Sequence, residues 1–159
     1  MELGFIGLGR MGQAMVGKLA STGHRVVAYD MSSQAVAAVA SQGVEGVSGL
    51  VELVRALAPP RTIWVMVPAG NPVDEVIFKG LLPHLAAGDL LADGGNSNYK
   101  DSVRRASELK EKGIGFLDVG TSGGLEGAEQ GLSFMVGGPE AAFKRMEPVL
   151  RSLAAPNGY

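Results

Sequence analysis

The residues Gly7-Leu8-Gly9-Arg10-Met11-Gly12 form a G-x-G-x-x-G sequence between a strand-like apolar run and a helical pattern of apolar residues. The run covers residues 3–6, and the helical pattern covers residues 11–20. In this context the first glycine permits a tight turn, the second lets the backbone approach a diphosphate, and the third lets the helix pack on the strand. Free N–H groups and the positive end of the helix dipole favour the same anion. The pattern therefore predicts a dinucleotide-binding βαβ unit.

Predicted strands and helices alternate outward from this unit. The strands cover residues 25–29, 44–47, 62–67 and 90–93, and the helices cover residues 33–41, 50–57, 73–78 and 99–112. Because the connections are too long for hairpins, this alternation indicates a parallel sheet with helices on both faces. The expected fold class is α/β, with a doubly wound, mostly parallel sheet of the Rossmann type.

The alternation breaks between residues 115 and 138. A strand at 116–119 is followed by a glycine-rich segment, interpreted as a long loop, and by a second strand at 132–136, before a final helix at 140–153. We therefore expect a terminal β extension of the sheet. Residues 1–159 are expected to form one dinucleotide-binding domain.

Composition excludes several classes of function. The chain has 159 residues, no cysteine, and 14 basic against 16 acidic side chains, so neither a disulfide scaffold nor a nucleic-acid partner is expected. The sequence shows no signal segment and no apolar run of bilayer length, which predicts no membrane partner and a cytoplasmic location. His24, His84 and the scattered acidic residues provide no metal-ligand set. We expect no bound metal and no catalytic histidine.

Asp30 is the candidate ligand of a ribose. It ends the second predicted strand, 30 − 12 = 18 residues after Gly12, where a carboxylate can accept hydrogen bonds from the adenosine ribose. The alternative interpretation is a helix-capping aspartate beside an ordinary glycine turn. A carboxylate would repel a 2′-phosphate, and residues 31–33 supply no arginine to bind one, so the sequence favours NAD over NADP.

Two further motifs follow predicted strands. Val67, Pro68 and Ala69 come after a buried strand, where open α/β sheets bind ligands, although a rigid loop before a helix explains them equally well. In Asp93-Gly94-Gly95-Asn96-Ser97, the Asn96 amide can both donate to and accept from a carboxamide or a sugar hydroxyl. Asn98 is sufficient as the cap of the next helix. Asn96 is therefore the expected ligand contact.

Ser122, Gly123 and Gly124 form the fourth motif. A hydroxyl and successive unobstructed backbone N–H groups make a concave anion site of the kind that suits a carboxylate. A glycine-rich segment of this length is entropically costly to order, which favours a functional role.

These four motifs, in this order, resemble the N-terminal half of the 6-phosphogluconate dehydrogenase family nearly from end to end. The segment 93–97 is the most specific of them, because sister β-hydroxyacid dehydrogenases, such as 3-hydroxyisobutyrate dehydrogenase, typically carry an Asp-x-Ser-Thr segment at that place. Common NADP-dependent members have an Asn-Arg pair and a lysine where this chain has Asp30-Met31 and Pro68. The chain therefore resembles the shorter, NAD-preferring branch.

The resemblance implies a role for each motif. The dinucleotide would be held by the glycine sequence and Asp30, its cleft would be lined by the segment after the fourth strand, and Asn96 would lie near both the nicotinamide and the sugar acid. The substrate carboxylate would be bound by the serine-glycine segment. The cofactor residues are Gly7, Leu8, Gly9, Arg10, Met11, Gly12, Asp30, Val67, Pro68, Ala69 and Asn96, and the substrate residues are Asn96, Ser122, Gly123 and Gly124.

The implied reaction is the oxidative decarboxylation of 6-phosphogluconate to ribulose 5-phosphate, with hydride transfer to NAD(P), as in the pentose phosphate pathway. The family supplies the base and the acid as a Lys and a Glu on a helical C-terminal domain, which is expected after Tyr159 and through which the family dimerises. No catalytic residue is therefore expected within this chain, which alone would be inactive. The alternatives are an NAD-dependent dehydrogenase of another β-hydroxyacid and a non-catalytic dinucleotide-sensing module.

Overall fold

The computed structural model describes residues 1–159 as one sheet with helices on both faces. The strands are β1 (Glu2–Ile6), β2 (Arg25–Tyr29), β3 (Glu45–Gly46), β4 (Thr62–Val65), β5 (Leu90–Asp93), β6 (Gly115–Ser122) and β7 (Ser133–Gly137). The helices are α1 (Arg10–Ser21), α2 (Ser33–Ala40), α3 (Leu50–Ala56), α4 (Asn71–Asp74), α5 (Tyr99–Lys110), α6 (Gly124–Gln130) and α7 (Glu140–Leu153). α4 continues as a π-helical segment, Glu75–Leu81, and a 3₁₀ turn, Leu82–His84.

The strand order is β3-β2-β1-β4-β5-β6-β7. The first six strands are parallel, and β7 runs antiparallel to β6. This confirms the doubly wound fold class with its terminal β extension. The strand order reverses between β1 and β4, and in such sheets ligands bind beyond the carboxyl ends of the strands at that reversal.

Alternate strand residues fill two separate cores. Phe5 and Trp64 face α1 and α7, whereas Ile6, Ile63 and Val65 face α3, the π-helical segment and α5. Trp64 is fully buried, with its ring parallel to that of Phe5 at a centroid distance of 6.2 Å. Both faces are therefore apolar, as a parallel sheet covered by helices requires.

The structure corrects several predicted boundaries and one predicted loop. The strand expected at 62–67 ends at Val65, and the helix expected at 73–78 begins at Asn71 and extends as irregular helix to His84. The glycine-rich segment interpreted as a long loop contains α6. Its Gly127 and Ala128 are buried, so packing offsets the entropic penalty of glycine in a helix.

Candidate functional site

The three glycines of the first motif occupy different environments. Gly7 has φ of 103°, and a Cβ atom there would overlap the carbonyl oxygen of Met66. A Cβ atom on Gly12 would overlap the carbonyl oxygen of Gly7, whereas one on Gly9 would meet no atom within 4 Å. Packing therefore excludes a side chain at Gly7 and Gly12, and Gly9 leaves open space above the loop.

The N-terminus of α1 presents unpaired donors at this open space. Its first helical hydrogen bond runs from the Gln13 N–H to the Gly9 carbonyl at 2.9 Å, so the preceding N–H groups have no helical acceptor. No side chain caps the helix, and no acidic residue lies in its first turn. The positive end of the helix dipole therefore remains available to an anion.

Asp30 connects the end of β2 to the glycine loop. Its Oδ2 accepts a hydrogen bond from the Leu8 N–H at 2.7 Å, and its Oδ1 accepts one from the Ser32 N–H at 2.8 Å. The cap of α2 is Ser32, whose hydroxyl accepts from the Ala35 N–H, so helix capping does not account for Asp30. Each carboxylate oxygen can accept a further hydrogen bond.

A cleft of about 560 Å³ lies between the end of β2, the glycine loop and the segment that follows β4. Its lining includes Val67 and Pro68, whereas Ala69 is exposed outside it. The two charged residues that line it are Asp30 and Glu75, both acidic. Apolar walls, a carboxylate and a helix N-terminus fit the adenine, ribose and diphosphate of a dinucleotide, and the volume lies within the ordinary range of ligand pockets.

Asn96 is held by the backbone of a neighbouring strand. It adopts φ of 57°, its Nδ2 donates to the Thr121 carbonyl at 3.0 Å, and its Oδ1 accepts from the Thr121 N–H at 2.8 Å. The amide retains one N–H and one acceptor site for another partner. Asn98 caps α5 by accepting from the Lys100 N–H, as the sequence predicted.

The serine-glycine segment follows Thr121 directly. Ser122 ends β6, Gly123 precedes α6 with φ of 128°, and Gly124 begins the helix with φ of 58°. All three residues are exposed. The structure thus brings Asn96 and this segment together at the ends of β5 and β6, whereas neither lines the cleft between β1 and β4.

The chain matches the family model described as the NAD binding domain of 6-phosphogluconate dehydrogenase over residues 2–158. The chain belongs to the 6-phosphogluconate dehydrogenase family. The NAD(+)-dependent, decarboxylating 6-phosphogluconate dehydrogenase of Haloferax volcanii is 47% identical over 160 residues, which cover 100% of this chain and 52% of that protein. The chain spans about half the length of the curated relatives that it matches first.

Solved structures show the same domain. The 6-phosphogluconate dehydrogenase of Plasmodium falciparum, described in apo form and with NADP+ or 6-phosphogluconate, has a TM-score of 0.91 and 34% identity, covering 99% of this chain and 35% of that one. The 3-hydroxyisobutyrate dehydrogenase of Mycobacterium tuberculosis, solved with L-serine, has a TM-score of 0.88 and 31% identity, covering 96% and 52%. The fold is therefore common to both groups of dehydrogenases.

A buried ion pair in this domain was not predicted from the sequence. Asp93 and Arg105 are both fully buried, and Arg105 Nη1 lies 3.2 Å from Asp93 Oδ2. The signal was present in α5, where Arg105 shares the buried face with Ser102 and Leu109 at helical spacing. A charged residue on a buried helix face is rarely left without a specific partner.

Two carboxyl groups beside this pair titrate differently from free aspartate. Burial raises the pKa of Asp118, the nearby charge of Asp93 adds to the rise, and the charge of Arg105 opposes it. Burial also acts to raise the pKa of Asp74, but hydrogen bonds from Arg105 and Arg104 outweigh burial and lower it. Asp74 is therefore held ionised beside the arginines.

No group of three or more metal-ligating side chains is assembled in this member of the family. None of its helices combines the length and the apolar character needed to cross a membrane.

Proposed function

We propose that this chain is the dinucleotide-binding half of an NAD-preferring 6-phosphogluconate dehydrogenase. The cleft beside β1 and β4 carries the proposal, because the open backbone at Gly9, the oriented carboxylate of Asp30 and apolar walls meet there. In the proposed complex the diphosphate binds at the N-terminus of α1, and Asp30 accepts hydrogen bonds from the adenosine ribose.

The charges of the cleft support NAD over NADP. Asp30 and Glu75 are its charged lining residues, and Glu75 is paired with Lys79 at 2.6 Å. At an effective dielectric constant near 20, two unit charges 4 Å apart repel by about 4 kcal/mol. A 2′-phosphate beside Asp30 meets this repulsion, and no basic residue of the cleft lining offsets it.

The substrate is proposed to bind at the ends of β5 and β6. The remaining donor and acceptor of Asn96 and the exposed Ser122–Gly124 segment suit a hydroxyl and a carboxylate. In the proposed reaction the C3 hydride passes to the nicotinamide and the hydroxyl proton to a base. The β-keto acid then loses carbon dioxide, and an acid protonates the resulting enediol.

The base and the acid are proposed to be a lysine and a glutamate outside these 159 residues, on a helical domain through which two subunits pair. This division agrees with the length of the chain, about half that of its relatives. We further propose that the enzyme acts in the pentose phosphate pathway and is located in the cytoplasm.

Calorimetric titration of the chain with NAD+ and with NADP+ tests the cofactor half of the proposal. We expect NAD+ to bind at least tenfold more tightly, roughly 1.4 kcal/mol or more. Equal or reversed affinities would contradict the preference, and no binding of either nucleotide would contradict the assignment. The chain alone is expected to leave 6-phosphogluconate unoxidised, so measurable NADH formation would place the base within it.

A dehydrogenase of another β-hydroxyacid is the second candidate, favoured by the similarity to 3-hydroxyisobutyrate dehydrogenase. Backbone NMR spectra of the chain with NADH, titrated with 6-phosphogluconate or with 3-hydroxyisobutyrate, separate the two. We expect 6-phosphogluconate to shift the amide signals of Ser122–Gly124 at the lower concentration. The reverse order favours the second candidate, and no shift with any hydroxyacid favours a dinucleotide-sensing module.

A further inference from the structure

The Arg105 side chain connects two loops that the proposed site uses. Its Nη2 donates to the Gly70 carbonyl at 3.0 Å, and its Nε lies 2.7 Å from Asp74 Oδ1. Its Nη1 lies 3.0 Å from Ser97 Oγ and 3.2 Å from Asp93 Oδ2. One buried guanidinium therefore bonds to the loop after β4, to α4, to the end of β5 and to the loop after β5.

Asp93 anchors the loop that follows β5. Its Oδ2 accepts from the Ser97 hydroxyl at 2.5 Å, and its Oδ1 accepts from the Gly95 N–H at 2.9 Å. Asn96 lies between these two anchored residues, in the left-handed backbone region, with its amide on Thr121. The position of Asn96 thus depends on the buried pair beneath it.

The loop that follows β4 forms one wall of the cleft. Gly70 has φ of 91°, and the next residues, Asn71 and Pro72, line the cleft with Val67 and Pro68. Arg105 reaches this wall from behind, since it is fully buried and does not line the cleft. It fixes the cofactor wall relative to Asn96 without touching either proposed ligand.

Stability alone does not account for this arrangement. Replacing a buried ion pair by apolar side chains of similar volume is often neutral or stabilising, because desolvation offsets the attraction between the charges. The planar guanidinium instead supplies several donors in a fixed geometry, which lysine cannot reproduce.

We propose that Arg105, bonded to Asp93, is a positioning residue that holds Asn96, the residue expected to lie near the nicotinamide, in place relative to the loop after β4. This inference rests on the proposed function. Gly7–Gly12 and Asp30, which would hold the adenosine and diphosphate, make no hydrogen bond with Arg105. Loss of the guanidinium therefore loosens the Asn96 loop and leaves the contacts of Gly7–Gly12 and Asp30 in place.

Arg105→Lys and Ser97→Ala test the proposal, with Arg104→Lys as the matched control. Arg104 is adjacent, also bonds Asp74, and is 42% exposed. For each variant we would measure the Kd for NADH by calorimetry, the fluorescence enhancement of the bound nicotinamide, and hydrogen exchange of the Thr121 amide. Ser97→Ala removes the two bonds that the Ser97 hydroxyl makes, to Asp93 and to Arg105, and keeps the test available if Arg105→Lys does not fold.

We expect both test variants to keep the Kd within about threefold, because the contacts of Gly7–Gly12 and Asp30 are unchanged. Both should lose much of the nicotinamide fluorescence enhancement, and Thr121 should exchange roughly tenfold faster. Arg104→Lys should match the wild type. Unchanged nicotinamide fluorescence and Thr121 exchange would overturn the proposal, as would a Kd that weakens in proportion to the fluorescence loss. If the wild type fails to bind NADH, the proposed function falls, and Thr121 exchange still decides whether Arg105 positions the Asn96 loop.

Discussion

The carboxylate of Asp30 holds the glycine loop through Leu8 and faces the cleft. We predict that Asp30→Ala weakens NAD+ binding and reduces discrimination against NADP+, because it removes the proposed ribose acceptor and the negative charge together. Hydrogen bonds to charged groups contribute about 1.5–3 kcal/mol, so the NAD+ Kd should rise roughly tenfold or more. Parallel calorimetric titrations with both nucleotides measure the two effects.

Two further variants separate the charge of Asp30 from its structural role. Asp30→Asn keeps an acceptor for the Leu8 N–H and removes the charge, so it should relax discrimination with a smaller loss of NAD+ affinity. Glu111→Gln removes an exposed carboxylate beyond the end of α5 and should change neither value. An unaltered NAD+/NADP+ ratio in Asp30→Ala would show that the preference arises elsewhere.

An added methyl group should mainly reduce stability at Gly12 and mainly reduce NAD+ binding at Gly9. In Gly12→Ala the new Cβ overlaps the Gly7 carbonyl, which should lower the free energy of unfolding by about 1–3 kcal/mol. In Gly9→Ala the Cβ enters open space, so stability should fall by at most about 1 kcal/mol, the effect of alanine at an N-cap. Gly9→Ala should nevertheless abolish most NAD+ binding, because the methyl group occupies the proposed path of the diphosphate.

Urea denaturation and NAD+ titration of these two variants check the prediction, and each variant serves as the control for the other. If Gly9→Ala bound NAD+ as tightly as the wild type, the diphosphate could not lie against this turn.

At the scale of secondary-structure elements, His24 links α7 to the turn between α1 and β2. His24 Nε2 lies 2.9 Å from Ser152 Oγ, and its Nδ1 lies 3.3 Å from the N-terminal amine. Burial, and then the positive charge of the N-terminus, lower the pKa of His24 below its ordinary 6.5. The unfolded chain therefore binds this proton more readily than the folded chain does.

The stability contributed by neutral His24 is complete above the unfolded pKa and is lost as the pH falls through the folded pKa. We predict a decrease in the free energy of unfolding between about pH 7.5 and pH 5.5 that His24→Gln diminishes. Urea denaturation at both pH values measures it, with His84→Gln, an exposed histidine, as the control. If the free energy of unfolding depended on pH equally in the wild type and in His24→Gln, the loss of stability at low pH would not arise from His24.

Elements with strong periodicity could be predicted from the sequence, and those made by packing could not. β5 and α7 match their predicted ranges because apolar spacing and stop signals mark both ends. α6 was missed because its glycines indicate a loop, whereas Gly127 and Ala128 are buried in the folded chain. Local propensity yields to tertiary packing in such segments.

At the scale of the whole molecule, the cleft arises from the strand order. Gly7 after β1, Asp30 after β2 and Pro68 after β4 are distant in the sequence, and the order β2-β1-β4 brings them to one edge. The motifs could be predicted because each follows its own strand. The pairing of Asn96 with Thr121, 25 residues away, and the burial of Arg105 depend on contacts across the fold, which local patterns do not encode.

Because of the same geometry, the choice between NAD+ and NADP+ should depend on two loops, one after β2 and one after β4. Asp30, Met31 and Pro68 line one cleft, and Met31 is 93% exposed at its rim. We predict that the triple variant Asp30→Asn, Met31→Arg and Pro68→Lys reverses the preference toward NADP+, because it removes one negative charge and adds two positive charges around the proposed 2′-position.

Charge interactions at exposed sites contribute up to about 1 kcal/mol each, so the three changes together should alter the NAD+/NADP+ affinity ratio by up to roughly 100-fold. Met31→Arg alone should give a smaller change, since Asp30 then neutralises the new guanidinium. Titrations at two salt concentrations provide an internal check, because screening should reduce the gain in NADP+ affinity. A triple variant that binds both nucleotides as the wild type does would mean that the 2′-position lies away from this cleft, and the assignment of Asp30 to the ribose would fail with it.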